Sequence, residues 1–132
     1  MLYGWVEIVK IILINNPISF GYKHLIKTYY LQGKLPTVTK GFYGGELTKD
    51  TVTLEHLKPV SKGGKTELKN LVLSEDVKNW SRGNRPLTDV FNKEAFETYC
   101  EEFKGIKLPY FNGDEYIRQI TKTIERLLKQ GK

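Results

Sequence analysis

The chain has only two histidines, His24 and His56, and the second stands where chemistry could use it. It directly follows Glu55 at the end of the strand-like run Thr51-Val-Thr-Leu54, and the turn-forming residues Pro59, Ser61, Gly63 and Gly64 come next. A strand sends neighbouring side chains to opposite faces. A Glu-His pair at its end can therefore aim an imidazole at a substrate and a carboxylate at a metal ion. Imidazole is the side chain whose unperturbed pKa lies closest to neutrality, which suits it to general-base work. His24 lies between Lys23 and Leu25 with no carboxylate within one helical turn, and reads as a surface or packing residue.

Composition restricts what such a pair could belong to. Cys100 is the only cysteine, which excludes an internal disulfide and a cysteine-built zinc site, so any metal chemistry must use oxygen and imidazole. A chain of 132 residues is the size of one domain. Twenty-one Lys and Arg against fifteen Asp and Glu give a net charge of +6, compatible with a polyanionic partner. The charge is uneven: residues 1–93 carry 14 basic and 8 acidic groups, 94–115 carry 2 and 6, and 116–132 carry 5 and 1. The acidic stretch is expected to face away from a polyanion. The apolar run Trp5 to Ile14 is too short to span a bilayer and contains Glu7 and Lys10, and Asn15-Asn16-Pro17 offers no small-residue cleavage site. A cytoplasmic protein without a membrane segment is the expectation.

The elements that must position Glu55 and His56 follow from periodicity. Trp5, Ile8, Val9, Ile12 and Leu13 recur at helical spacing, although their β-branched richness keeps a strand open. Ser19 could cap a helix from Phe20 to Leu31, and Gly33 and Pro36 would end it. Two short strands are expected at Thr51–Leu54 and Leu71–Leu73, followed by a helix capped by Ser74 with Glu75 and Asp76 in its first turn. Phe91, Phe96, Tyr99 and Phe103 interleave with Glu94, Glu97, Glu101 and Glu102 as in an amphipathic helix. Residues 114–129 form another, with Ile117, Ile120, Ile124, Leu127 and Leu128 on one face. Trp80 reads as a packing residue behind the site, and Cys100 as a buried small hydrophobe.

Downstream of Glu55 the order of residues is Glu55-His56-Leu57-Lys58-Pro59-Val60-Ser61-Lys62-Gly63-Gly64, then Asn70-Leu71-Val72, then Asn79 and Arg82-Gly83-Asn84. Fourteen positions separate His56 from Asn70, and nine separate Asn70 from Asn79. This pattern resembles the HNH endonuclease family in its His-Asn-Asn form, over roughly residues 41–87. The resemblance implies an α+β fold: a ββα-metal core of two short antiparallel strands and a helix over 37–92, with helical flanks at 1–36 and 93–132 in a single domain. It implies that His56 is the general base and that Asn70 orients it through the Pro59–Gly64 loop or the His56 backbone. Glu55 and Asn79 would hold one Mg²⁺ or Mn²⁺, for which carboxylate and amide oxygens are suitable hard ligands. Lys58, Lys62, Lys65, Arg82 and Arg85 would contact DNA phosphates.

Two departures from the family pattern accompany these roles. Gly41, Gly44, Glu75 and Lys78 stand where many members carry the four cysteines of a zinc knuckle, so no structural zinc is expected, and a Glu75–Lys78 contact could supply part of the bracing. Glu55 replaces the more usual Asp. The implied activity is metal-dependent hydrolysis of DNA phosphodiesters, one strand per site. The alternative is a non-catalytic DNA-binding or protein-inhibiting module on the same scaffold. The flanking helices could carry a homodimer contact or a protein partner.

Overall fold

The computed structural model describes residues 24–131. The expected helix or strand at Trp5–Ile14 and the cap at Ser19 lie outside them. Among the described residues the architecture is mixed: five helices and two small antiparallel sheets.

Helix α1 (Leu25–Leu31) is the described part of the second expected helix, and it buries Leu25, Ile26 and Tyr29. A turn-rich segment follows. Within it, Gly41 N donates to Gly45 O at 2.7 Å and Gly44 N to Gly41 O at 2.9 Å, closing a tight turn that the Lys40–Glu46 bridge and ion pair flank. Strand β1 (Val52–His56) then pairs antiparallel with β2 (Leu71–Glu75), Glu55 opposite Val72 and His56 opposite Leu71. Leu71, Val72, Leu73 and Ser74 are all buried, so β2 is covered on both faces, which explains why it reads as a continuous apolar run rather than an alternation.

Helix α2 (Asp76–Arg82) leaves β2 directly. Ser74 is not its cap: strand pairing with Thr53 carries the extended backbone through Glu75, and the Ser74 hydroxyl bonds Glu75 O instead. A single turn, α3 (Leu87–Val90), precedes α4 (Lys93–Phe103), which Asn92 caps by accepting from Ala95 N at 3.0 Å. A two-residue hairpin, β3 (Lys107–Leu108) and β4 (Phe111–Asn112), leads into α5 (Gly113–Gln130), which buries Ile120 and Ile124 of the expected stripe together with Tyr116 and Thr123, while Ile117, Leu127 and Leu128 are only half-buried. No helix among the described residues is long and apolar enough to cross a membrane.

One core joins these pieces. Rings from the turn segment (Phe42), α4 (Tyr99, Phe103), β4 (Phe111) and α5 (Tyr116) meet edge-to-face or tilted with centroids 4.8–6.4 Å apart, geometry that aromatic quadrupoles favour. The acidic helix α4 is not merely a solvated face. Glu102 accepts from Thr39 N, Thr39 Oγ1 and Lys40 N at 2.8–2.9 Å, fastening the turn segment to it. Cys100 is half-buried and free, with its thiol pushed up to about 11 by burial and by Glu101 and Glu97.

Candidate functional site

The hairpin and α2 bring Glu55 and Asn79 together. Glu55 and Thr53 share a face of β1, two positions apart, and that face looks onto α2. The two terminal atoms of the Asn79 amide are distributed between them: one lies 2.8 Å from Glu55 Oε1 and 3.2 Å from Oε2, the other 3.2 Å from Thr53 Oγ1. Protein groups alone are satisfied with nitrogen toward the carboxylate, donating to both oxygens, and Oδ1 accepting from Thr53. Rotating the amide by 180° puts Oδ1 against the carboxylate, two acceptors at the spacing of adjacent ligands on a small hard cation. Only in that second orientation does the Glu55–Asn79 contact need a cation, since in the first the amide nitrogen is itself the donor.

The other side of Glu55 is held by cationic and phenolic donors. Its Oε2 accepts from Tyr43 Oη at 2.8 Å and from Arg82 Nη1 at 3.2 Å. Burial and the neighbouring Glu55 carboxylate push the Tyr43 hydroxyl well above its ordinary value, so it remains a donor. Arg82 does not reach outward to phosphates. It is 2% exposed, and its guanidinium donates to His56 O (2.9 Å), Leu57 O (2.8 Å), Arg85 O (3.0 Å), Tyr43 and Glu55. A guanidinium with five donors in a planar fork can tie β1, the turn segment and α2 together in this way. Its sequence position beside the motif suggested a nucleic-acid contact, but its side chain turns inward.

His56 points to the opposite face from Glu55. Its Nε2 lies 2.9 Å from Thr66 Oγ1. Partial burial lowers the imidazole pKa; Glu55 opposes this and His24 adds to it, so His24 belongs to the electrostatic surroundings of His56. Asn70 lies beneath the intervening loop: its Oδ1 accepts from Lys58 N at 2.8 Å, and its Nδ2 donates to Lys58 O at 3.1 Å and Lys65 O at 2.8 Å. It thereby clamps both ends of the Pro59–Gly64 loop. The glycine pair is required here. Gly63 has φ +91°, and a Cβ on Gly64 would meet Lys58 O at 1.8 Å.

The turn at Gly41–Gly45 packs against the β2–α2 junction, where a Cβ on Gly41 would lie 3.2 Å from Glu75 N and from Ser74 Cα. The turn and the β2–α2 junction, which the resemblance set against cysteine pairs, are therefore adjacent. No Glu75–Lys78 ion pair forms among the described residues. Phe42 braces the turn instead, donating its N–H to Leu73 O at 2.8 Å and burying its ring against Tyr99, Phe96 and Phe91.

Of the expected nucleic-acid contacts, Lys62, Lys65 and Arg85 are exposed and Lys58 is half-buried. Arg85 also caps α2, donating to Arg82 O and Ser81 O at 3.2 and 3.0 Å. Trp80 is 86% exposed rather than packed behind the site. No cluster of three or more His, Cys, Asp or Glu suited to a metal occurs among the described residues. Thr66 and Tyr43 were not marked by sequence. Both reach the site across loops, and no local spacing signals them. No family model, no curated protein and no solved structure matches the chain.

Proposed function

We propose that this chain is a metal-dependent HNH endonuclease that hydrolyses phosphodiester bonds of DNA, nicking one strand per site. The observation that carries the reading is the approach of the Asn79 amide to Glu55 Oε1 at 2.8 Å, with His56 next to Glu55 on β1. The adjacency of the Gly41–Gly45 turn to Glu75 agrees with an HNH scaffold whose zinc knuckle has been replaced by aromatic packing.

The residues fit a single Mg²⁺ or Mn²⁺. Glu55 Oε1 and Asn79 Oδ1 would hold it, and it would neutralise charge on the phosphate and stabilise the leaving 3′ oxygen. With its proton on Nε2, donated to Thr66 Oγ1, the His56 ring keeps its lone pair on Nδ1 and accepts a proton from the attacking water there. Asn70 holds the loop that shapes this face. Arg82 fixes Glu55 Oε2, which leaves Oε1 as the ligand atom and weakens the hold on a cation by partly neutralising the carboxylate. That same pairing is the observation favouring a non-catalytic DNA-binding or protein-inhibiting module.

Incubating supercoiled plasmid with the protein separates the two. Open-circular product is expected with Mg²⁺ or Mn²⁺, none with EDTA and none from His56→Ala. Nicking that survives His56→Ala rejects the mechanism. An intact plasmid under every metal, still retarded on a gel, selects the binding module.

A further inference from the structure

The loop joining β1 to β2 is rich in lysine, and its far side faces α5. Thr123 Oγ1 on that helix donates to Lys69 O at 2.8 Å, holding the two together. Between them lies a cavity of about 250 Å³. Lys58, Lys65 and Lys69 come to it from the loop and Arg126 from α5, around the bare backbone of Gly63 and Gly64. The opposing charge is Glu67, 3.7 Å from Lys69. Four cations around one concavity repel one another, and an anion placed among them relieves that repulsion. The cavity is smaller than those that enclose a drug-sized ligand and its walls are charged, so it suits a phosphate group rather than an organic cofactor.

We propose that this pocket binds a backbone phosphate of a nucleic acid, away from the bond facing His56. The assignment rests on the reading above that DNA is the partner, but not on cleavage. Lys65, Lys69 and Arg126 are exposed, as is usual for residues that track a nucleic-acid backbone. The pocket also shares a wall with the candidate site: Asn70 lines it and clamps Lys58 and Lys65, while the next residue, Thr66, holds His56.

The test is fluorescence anisotropy of a labelled DNA duplex with the full chain in EDTA, over a series of salt concentrations. The double variant Lys69→Gln/Arg126→Gln should weaken binding on the order of tenfold near 0.1 M salt and reduce the log–log salt slope by about one. Lys104→Gln/Lys107→Gln removes the same charge from the acidic half and should bind nearly as wild type. Glu67→Gln should bind more tightly. Equal weakening by the two double variants, or no effect of Glu67→Gln, overturns the pocket. Calorimetry that detects inorganic phosphate bound to a protein without affinity for the duplex overturns the nucleic-acid assignment. Because EDTA suppresses metal-dependent cleavage, a protein that passes these tests but never nicks plasmid rejects the nuclease reading and leaves the pocket standing.

Discussion

At the scale of single residues, the state of His56 depends on two neighbours with different effects. Burial and His24 disfavour its protonated form, and the net shift is downward despite Glu55. The unfolded chain therefore binds a proton here more readily than the folded one does. This group's contribution to stability is constant above about pH 6.5 and declines as pH falls from there through the lower folded value. The basic form also persists to lower pH, so the acid limb of kcat/KM for nicking should have its midpoint below 6.5. Thr66 bears on a separate property, the ring's orientation and tautomer, because its hydroxyl is the hydrogen-bond partner of Nε2. Thr66→Val keeps the shape and removes that partner. It should lower the nicking rate ten- to a hundredfold, leave duplex binding in EDTA unchanged, and be rescued by Thr66→Ser. A rate equal to wild type for Thr66→Val would reject that role. Glu55, His56, Asn70 and Asn79 were marked in sequence by the resemblance, and the structure brings Glu55 and Asn79 together and sets Asn70 under the loop that follows His56. The inward turn of Arg82 was not legible in sequence, since the His56 and Leu57 carbonyls that claim its guanidinium stand at the end of β1 and just past it, 26 and 25 residues away.

At the scale of elements, the hairpin is finished by two tyrosines from helices that follow it. Leu73 N donates to Tyr99 Oη at 2.9 Å, Tyr99 Oη lies 2.9 Å from Tyr116 Oη, and Tyr116 Oη donates to Leu71 O at 2.7 Å. With the middle proton on Tyr99, every group in the chain donates once to the next, and backbone groups of β2 not used by β1 are satisfied in a dry interior. Burial raises both hydroxyls, which remain protonated. Tyr99→Phe leaves the Leu73 N–H without an acceptor and should cost about 1–3 kcal/mol in urea unfolding. The double variant with Tyr116→Phe should cost less than the sum of the single changes, because the second removes a group already deprived of its partner. Strict additivity would mean that the two hydroxyls act independently. Both strands of the main hairpin were readable from their β-branched and apolar runs, and the last two helices from their period, although their caps Asn92 and Asn112 were not marked. The β3–β4 hairpin was not readable, because two-residue strands have no period, and the start of α2 was misplaced because Ser74 carries a cap-forming side chain but sits within a strand.

At the scale of the whole molecule, the candidate site does not sit on a self-sufficient ββα unit. Its hairpin buries Val72 and Leu73 in one core cluster with Tyr99 and Phe103 from α4 and Tyr116, Ile120 and Ile124 from α5. The turn segment that supplies Tyr43 to Glu55 is fastened to α4 through Glu102 and packed on Tyr99 through Phe42. Removing residues 93–131 would expose these apolar faces, orphan the Leu73 N–H and release the turn. A unit of that reduced size holds no cysteine, so no disulfide can compensate for a small core. A fragment covering 37–92 is therefore expected to lack cooperative unfolding and dispersed amide resonances, whereas the full chain should show both. A cooperative thermal transition in the short fragment would mean that the hairpin and α2 fold alone, with α4 and α5 as additions. Its absence would place the stability of the Glu55–Asn79 pair in the C-terminal helices. Long-range aromatic packing from α4 and α5, rather than contacts within the hairpin and α2, would then hold Glu55 and Asn79 in place.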